Sequence, residues 1–150
     1  MNLIAQGASI PAMSDDAVQR VRHVESCLAQ LPQISIATKH VLHGGLYART
    51  ITIPGGVMLT GALIKIATLL IIQGDVMVYL GEDSHRLSGN NVLPASAGRK
   101  TAYLTETETT ITMVFPTTAQ TVEVAEKEFT DEWDRLMSHD SINEITITGE

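Results

Sequence analysis

The chain has 150 residues, 44% hydrophobic and 18% charged, with a formal net charge of −7. This is the profile of one soluble globular domain able to bury a sizeable core. It excludes bulk disorder, and the longest apolar stretch, Ile66 to Ile72, falls far short of the ~20 residues of a membrane span. The acidity is C-terminal, with nine acidic and two basic side chains in residues 119–150, and no basic run is present to track nucleic acid. Met1 to Gln6 has neither a basic n-region nor a sustained apolar h-region, so it does not read as a secretory signal and the cytoplasm is the expected compartment.

Residues 1–32 read as an arm and a helix. The first thirteen look loose; then Ser14 can cap a helix whose apolar set, Ala17, Val21, Val24, Leu28 and Leu31, recurs at helical spacing until Pro32 stops it. That stripe suits docking on the same chain or zipping against a second copy. Cys27, the only cysteine, has no disulfide partner in the chain and falls in the helical pattern, where a small core residue is expected.

Residues 33–118 change to short β-rich segments punctuated by Gly, Pro and Asn. Strands are predicted at Ile34–Ala37, Leu46–Ile53, Gly61–Ile66, Leu69–Gln73, Asp75–Leu80, His85–Leu87, Asn91–Leu93, Lys100–Thr105 and Thr109–Phe115. Eight or nine short strands with tight turns predict an all-β core, a small closed or jelly-roll β-barrel. Residues 119–150 return to helix: Thr121 can cap, and Val122, Ala125, Phe129, Trp133 and Leu136 share one face, with Trp133 as an anchor on the barrel. Ile142 to Thr148 alternates apolar and polar residues, as a terminal strand pairing with an edge of this chain or a neighbour. The whole is one domain: a barrel flanked by two helices.

Five segments in order carry a resemblance: His43-Gly44-Gly45-Leu46-Tyr47-Ala48-Arg49, Ile53-Pro54-Gly55-Gly56, Thr60-Gly61, Gln73-Gly74-Asp75-Val76, and Leu93-Pro94-Ala95-Ser96-Ala97-Gly98-Arg99-Lys100. Over about residues 40–116 the chain resembles the cupin superfamily, in particular the small cupin-like proteins of tailed phages and prophages. The resemblance implies a small β-barrel, usually dimeric, belonging to a group of metal-dependent enzymes and metal-free binding or storage proteins. It also places the family's His-x-His pair within Thr60 to Leu63, its Glu at Ala67 and its third His at Thr101. None of those side chains replaces the family's ligand, so the inherited metal site is absent and no cofactor is expected.

Other constellations are few. His40 and His43 are candidates for a substitute metal pair, but an odd offset in a strand sends them to opposite faces. No nucleophile elbow, phosphate loop or dinucleotide fingerprint occurs, so no catalytic residue is assigned. Tyr47, Arg49, Lys65, Arg99, Lys100 and Tyr103 lie on or beside the motif strands, where a barrel mouth lined by them would hold an anion. Against this stand ion pairs of Arg49 and Lys65 with Glu106, Glu108 or a partner's acidic helix, and an apolar interior packed shut.

The leading expectation is a phage- or prophage-encoded, metal-free, non-catalytic protein acting through interaction or assembly. It would be a homo-oligomer, most simply a dimer, with a phage or host protein partner, in host cytoplasm or a virion, and engaging neither nucleic acid nor membrane. The competing expectation is a protein that sequesters an anionic metabolite or nucleotide in the barrel. A third is an enzyme with an atypical metal site at His40 and His43.

Overall fold

The computed structural model describes residues 8–140 and 142–150. Ten strands run in chain order: β1 (Ala37–His43), β2 (Leu46–Ile53), β3 (Met58–Thr60), β4 (Thr68–Gln73), β5 (Val76–Tyr79), β6 (Ser84–Leu87), β7 (Asn90–Ala95), β8 (Ala102–Thr105), β9 (Thr109–Pro116) and β10 (Asn143–Ile147). They form a six-stranded sheet, β10-β1-β2-β9-β4-β7, and a four-stranded sheet, β3-β8-β5-β6. Among the described residues every strand ladder is antiparallel except β1 with β10.

The expected all-β core is present, but the sheets are not closed into a barrel. No ladder joins them among the described residues; two isolated bridges, Ile10 to Ala95 and Ile64 to Arg99, are the further β contacts. Closure is replaced by face-to-face burial. Period-two alternation sends Thr109, Ile111, Met113 and Phe115 of β9 inward, and Thr68, Leu70 and Ile72 of β4 beside them. Leu59, Val76, Val78 and Tyr103 of the smaller sheet join the same core.

Several boundaries depart from the sequence reading. The first strand is Ala37–His43 instead of Ile34–Ala37: the inward alternation begins at buried Ile36 but runs on through Thr38, His40 and Leu42, and the strand pairing starts only at Ala37. The stretch expected as strand Gly61–Ile66 is mostly loop, and β3 precedes it. The described part of the supposedly loose arm is pinned: Ile10 is buried and bonded to both Pro94 and Ser96, and Met13 N–H donates to Gly98. The first seven of those thirteen residues lie outside the described set.

The N-terminal helix, α1 (Asp15–Leu28), begins as its cap predicts, with Ser14 Oγ accepting from Ala17 N–H. Ala17, Val18 and Val21 are its buried residues, so the helix docks on its own chain through its first half. Gly81 makes that approach possible: its φ is +84°, and a Cβ there would stand 2.4 Å from the Ala17 carbonyl oxygen. In the second half Val24, Glu25 and Leu28 are partly buried, inward positions, and Cys27 falls on the outer side between them, which is why it is exposed instead of being a core residue.

The second helix, α2 (Val122–Phe129), is capped by Thr121, whose hydroxyl accepts from Val124 N–H. It stops seven residues before Leu136, so Trp133 and Leu136 do not continue its face. Thr130 ends it by adopting an extended conformation and donating its hydroxyl to the Leu63 carbonyl, which ties the chain to the smaller sheet's loop. Two 3-10 turns follow, Trp133–Arg135 and Met137–Asp140. Trp133 still packs against the core at its edge, with the Lys127 ammonium 4.4 Å above its ring. No described helix is long and apolar enough to cross a membrane.

Candidate functional site

Between the sheets lies a cavity of about 600 Å3, so the interior is not packed shut. Its walls come from inner-face positions of β1, β2, β4 and β9, from β3 and β8, from the end of α1 with the segment after it, and from the residues following α2. Apolar side chains such as Ile51, Leu70, Ile111, Met113, Phe129 and Leu136 supply much of the wall. This volume lies in the range of small-molecule sites.

Charge in the wall is opposite in sign to the chain as a whole. Four cations, Arg49, Arg99, Lys100 and Arg135, face the cavity against two carboxylates, Glu25 and Glu132, in a chain of net charge −7. The cations differ in what they already hold.

Arg49 is neutralised. Its Nη1 donates to Glu126 at 3.2 Å and its Nη2 to Ser138 Oγ at 3.0 Å, and its guanidinium lies 5.6 Å from the Phe129 ring centre. Glu126 is itself buried, also receives the Ser138 hydroxyl, and stands 3.1 Å from His139 Nε2. The pairing is with a helix of the same chain, not with Glu106 or Glu108.

Lys100 is fully buried and held by Glu25 at 2.9 Å, Glu132 at 3.6 Å and the Gly61 carbonyl at 2.8 Å. Burial pushes the Glu132 carboxyl up, but the Leu63 N–H, Lys100 and Arg22 together hold it below the ordinary carboxylate value. Arg135 is exposed, at the cavity's outer limit.

Arg99 is the exception. It is 2% exposed, yet among the described residues no carboxylate lies within ion-pair distance of it. Its Nη1 donates to the carbonyls of Ser96 at 2.9 Å and Ile66 at 3.3 Å, and its Nη2 to Thr68 Oγ1 at 2.6 Å, with Met113 Sδ at 3.8 Å. Burial pulls its pKa down from the usual guanidinium value, and neighbouring Tyr103 works the other way.

Of the residues singled out in the sequence, the cavity wall gathers Arg49, Arg99, Lys100 and Tyr103. Tyr103 is buried, its hydroxyl accepting from Thr101. Tyr47 and Lys65 lie elsewhere. Tyr47 is fully buried beneath α2, stacked on Phe129, and burial pushes its phenol up to about 12. Lys65 is partly exposed and pairs with Asp131 at 2.6 Å.

His40 and His43 do not converge. His40 is buried, its Nε2 donating to Asn143 Oδ1 and its Nδ1 accepting from the Tyr47 hydroxyl, each at 2.6 Å. The Asn143 amide is oriented by its own N–H donation to the Ser138 carbonyl. His43 is on the opposite, exposed face, 2.7 Å from Thr148 Oγ1. No group of three His, Cys, Asp or Glu is placed to hold a metal among the described residues. Thr60, Gly61, Ala62 and Thr101, where the cupin resemblance would put imidazoles, do line the cavity, but they offer no ligand set that fits a transition metal.

Glu25, Glu132, Arg135 and Thr68 were not singled out in the sequence. Thr68 sits in an apolar run where its alternation marks it as inward-facing, the one available signal. The glutamates reach Lys100 across 75 and 32 residues, and no local pattern records that.

No family model matches the chain, and no curated protein does. Solved structures of similar shape include a cupin-2 domain containing protein from Shewanella frigidimarina, with TM-score 0.45 and 10% identity over 66% of this chain and 97% of that one. A cupin superfamily protein from Desulfitobacterium hafniense has TM-score 0.46 and 12% identity over 73% and 99%. KdgF from Halomonas sp. has TM-score 0.47 and 19% identity over 60% and 87%. Cupin-domain proteins are thus among its structural neighbours.

Proposed function

We propose that this chain is a small-molecule binding protein that takes an amphipathic anion into the space between its sheets. The observation that carries the reading is Arg99, a buried cation without a carboxylate partner in the wall of a cavity otherwise rich in apolar side chains. A buried charge is costly unless compensated, and an anionic group entering the cavity supplies the compensation. In this reading the scaffold is a jelly roll of cupin type in which Thr60, Gly61, Ala62 and Thr101 stand where metal ligands would project, leaving room for a ligand held without an ion.

The test is thermal unfolding with a panel of anionic amphiphiles and metabolites, since a ligand that binds only the native state stabilises it by RT ln(1 + [L]/Kd). At a hundredfold excess over Kd this amounts to about 2.7 kcal/mol, a rise of several degrees for a domain of this size. Melting curves unmoved by the whole panel would overturn the reading. Organic extraction of gently purified protein, followed by mass spectrometry, supplies an independent check.

Assembly with a second copy is a second reading, favoured by one feature. β10 is an exposed edge strand, and Ile142, Ile145 and Ile147 beside and within it are each at least half exposed. Its free edge offers backbone donors and acceptors that an antiparallel β10 of another copy would satisfy. Light scattering that reports only monomer at working concentration sinks this reading without touching the first.

A further inference from the structure

The donor count at Arg99 narrows the ligand's chemistry. A guanidinium carries five N–H donors. Two on Nη1 go to the Ser96 and Ile66 carbonyls, one on Nη2 goes to Thr68, and the other meets only the Met113 thioether at 3.8 Å. Nε–H has no partner among the described residues. Sulfur is a weak acceptor, so one strong donor is open and a second is poorly used.

We infer that Arg99 is the head-group site for an aliphatic monocarboxylate, which would use Nε–H and replace the Met113 sulfur at Nη2 while its apolar body occupies the cavity. The inference rests on the reading of that cavity as a ligand site. A carboxylate presents two oxygens that suit paired guanidinium donors, whereas an alcohol leaves the cation uncompensated and an ammonium repels it.

Charge balance disfavours a phosphate dianion. Arg49 is matched by Glu126 and Lys100 by Glu25, while Glu132 is shared between Lys100 and Arg22, so four cations face three carboxylates and the charge of Arg99 is left to neutralise. A single negative charge closes that balance, and a second would be buried without a partner. The body of the ligand is defined by Ile51, Leu70, Ile111 and Leu136, together with the flexible thioethers of Met113 and Met137, which adapt to a chain of variable shape.

The experiment is calorimetric titration of the full chain with decanoate, decanol, decylamine and decyl phosphate below their aggregation concentrations. The expected order places decanoate about tenfold or more tighter than decanol, the range of a hydrogen bond to a charged group. Decyl phosphate falls below decanoate, and decylamine binds least. Arg99→Lys keeps the charge and removes the fork, so it narrows the gap between decanoate and decanol.

Equal binding of decanoate and decanol, or tighter binding of decyl phosphate, overturns the carboxylate assignment while leaving the cavity reading intact. Failure of all four probes overturns both. If Arg99→Lys does not fold, as judged by circular dichroism, the head-group order in the unaltered chain decides alone.

Discussion

Arg49 and Arg99 reach the same stretch of the inter-sheet space and are treated in opposite ways. Arg49 sits opposite Met113 in the β2–β9 ladder, and Arg99 reaches the sulfur of the same Met113 from the loop before β8. Around Arg49 the protein supplies a carboxylate, a serine and an aromatic face; around Arg99 it supplies carbonyls, a threonine and a thioether. The first arrangement is complete without a ligand, and it fastens α2 and the following turns to the larger sheet. The second supports the guanidinium sterically and leaves its charge unmatched. A largely buried and a fully buried arginine thus divide into a matched clamp and an unmatched charge, the latter being what the proposed function reads as the ligand site, and only their partners tell them apart.

Substitutions can break that contrast, and the largest effect belongs to the clamp. Glu126→Ala strands the Arg49 guanidinium in a largely buried position and should cost about 3–5 kcal/mol of unfolding free energy, read by denaturant titration. A loss below about 1 kcal/mol would mean that Arg49 is not held by Glu126 in solution. Arg99→Met should cost less, about 1–3 kcal/mol, because it strands neutral acceptors at Ser96 and Ile66 while removing an uncompensated charge. If Arg99→Met proved the more damaging of the two, the division into clamp and site would be reversed. Ser138→Ala removes one donor to Glu126 and one acceptor from Arg49, a loss of about 1 kcal/mol by the same titration.

The smallest and most gradual effect is a pH dependence on the clamp side. His40 lies in register beside Arg49, with Glu126 and His139 also acting on it. Burial, the main cause, holds its folded pKa below the usual 6.5, against an Asn143 hydrogen bond that raises it. A depressed histidine value means that the native state resists protonation. Its contribution is therefore fully present above 6.5 and is lost as pH falls through 6.5 toward the folded value. His40→Gln should flatten that part of the stability profile; an unchanged slope would assign the dependence to another group. Glu132 titrates in a lower window, since its depressed folded pKa supports stability above the ordinary carboxylate range and loses it on acidification below.

Much of the scaffold was legible in one dimension. Strand β2 was read with its exact ends, β9 to within a residue, and the caps at Ser14 and Thr121 mark both helix starts, because period-two burial and cap chemistry are local. The failures have equally local causes. Apolar Ile34 suggested a strand before β1, whereas Thr38 and His40 are polar residues buried by long-range partners, which conceals the alternation. α2 was read too long because Phe129, Trp133 and Leu136 keep helical spacing past its end, while the hydroxyl bond of Thr130 to Leu63 ends the helix from outside. Four of the six proposed binding residues reached the cavity wall; Tyr47 shares the inner face of β2 with Arg49 but is covered by Phe129, and Lys65 lies in the loop before β4 and pairs with Asp131, long-range neighbours that no local pattern records.

By itself the sequence determined the alternation of strands and turns, the helix starts and the presence of basic residues on the β segments, because each follows from backbone geometry within a few residues. Tertiary structure decided which cations were matched. Glu126 reaches Arg49 across 77 residues of chain, Glu25 reaches Lys100 across 75, and no carboxylate reaches Arg99 among the described residues. Coulombic pairing depends on distance in space, and distance along the chain does not record it.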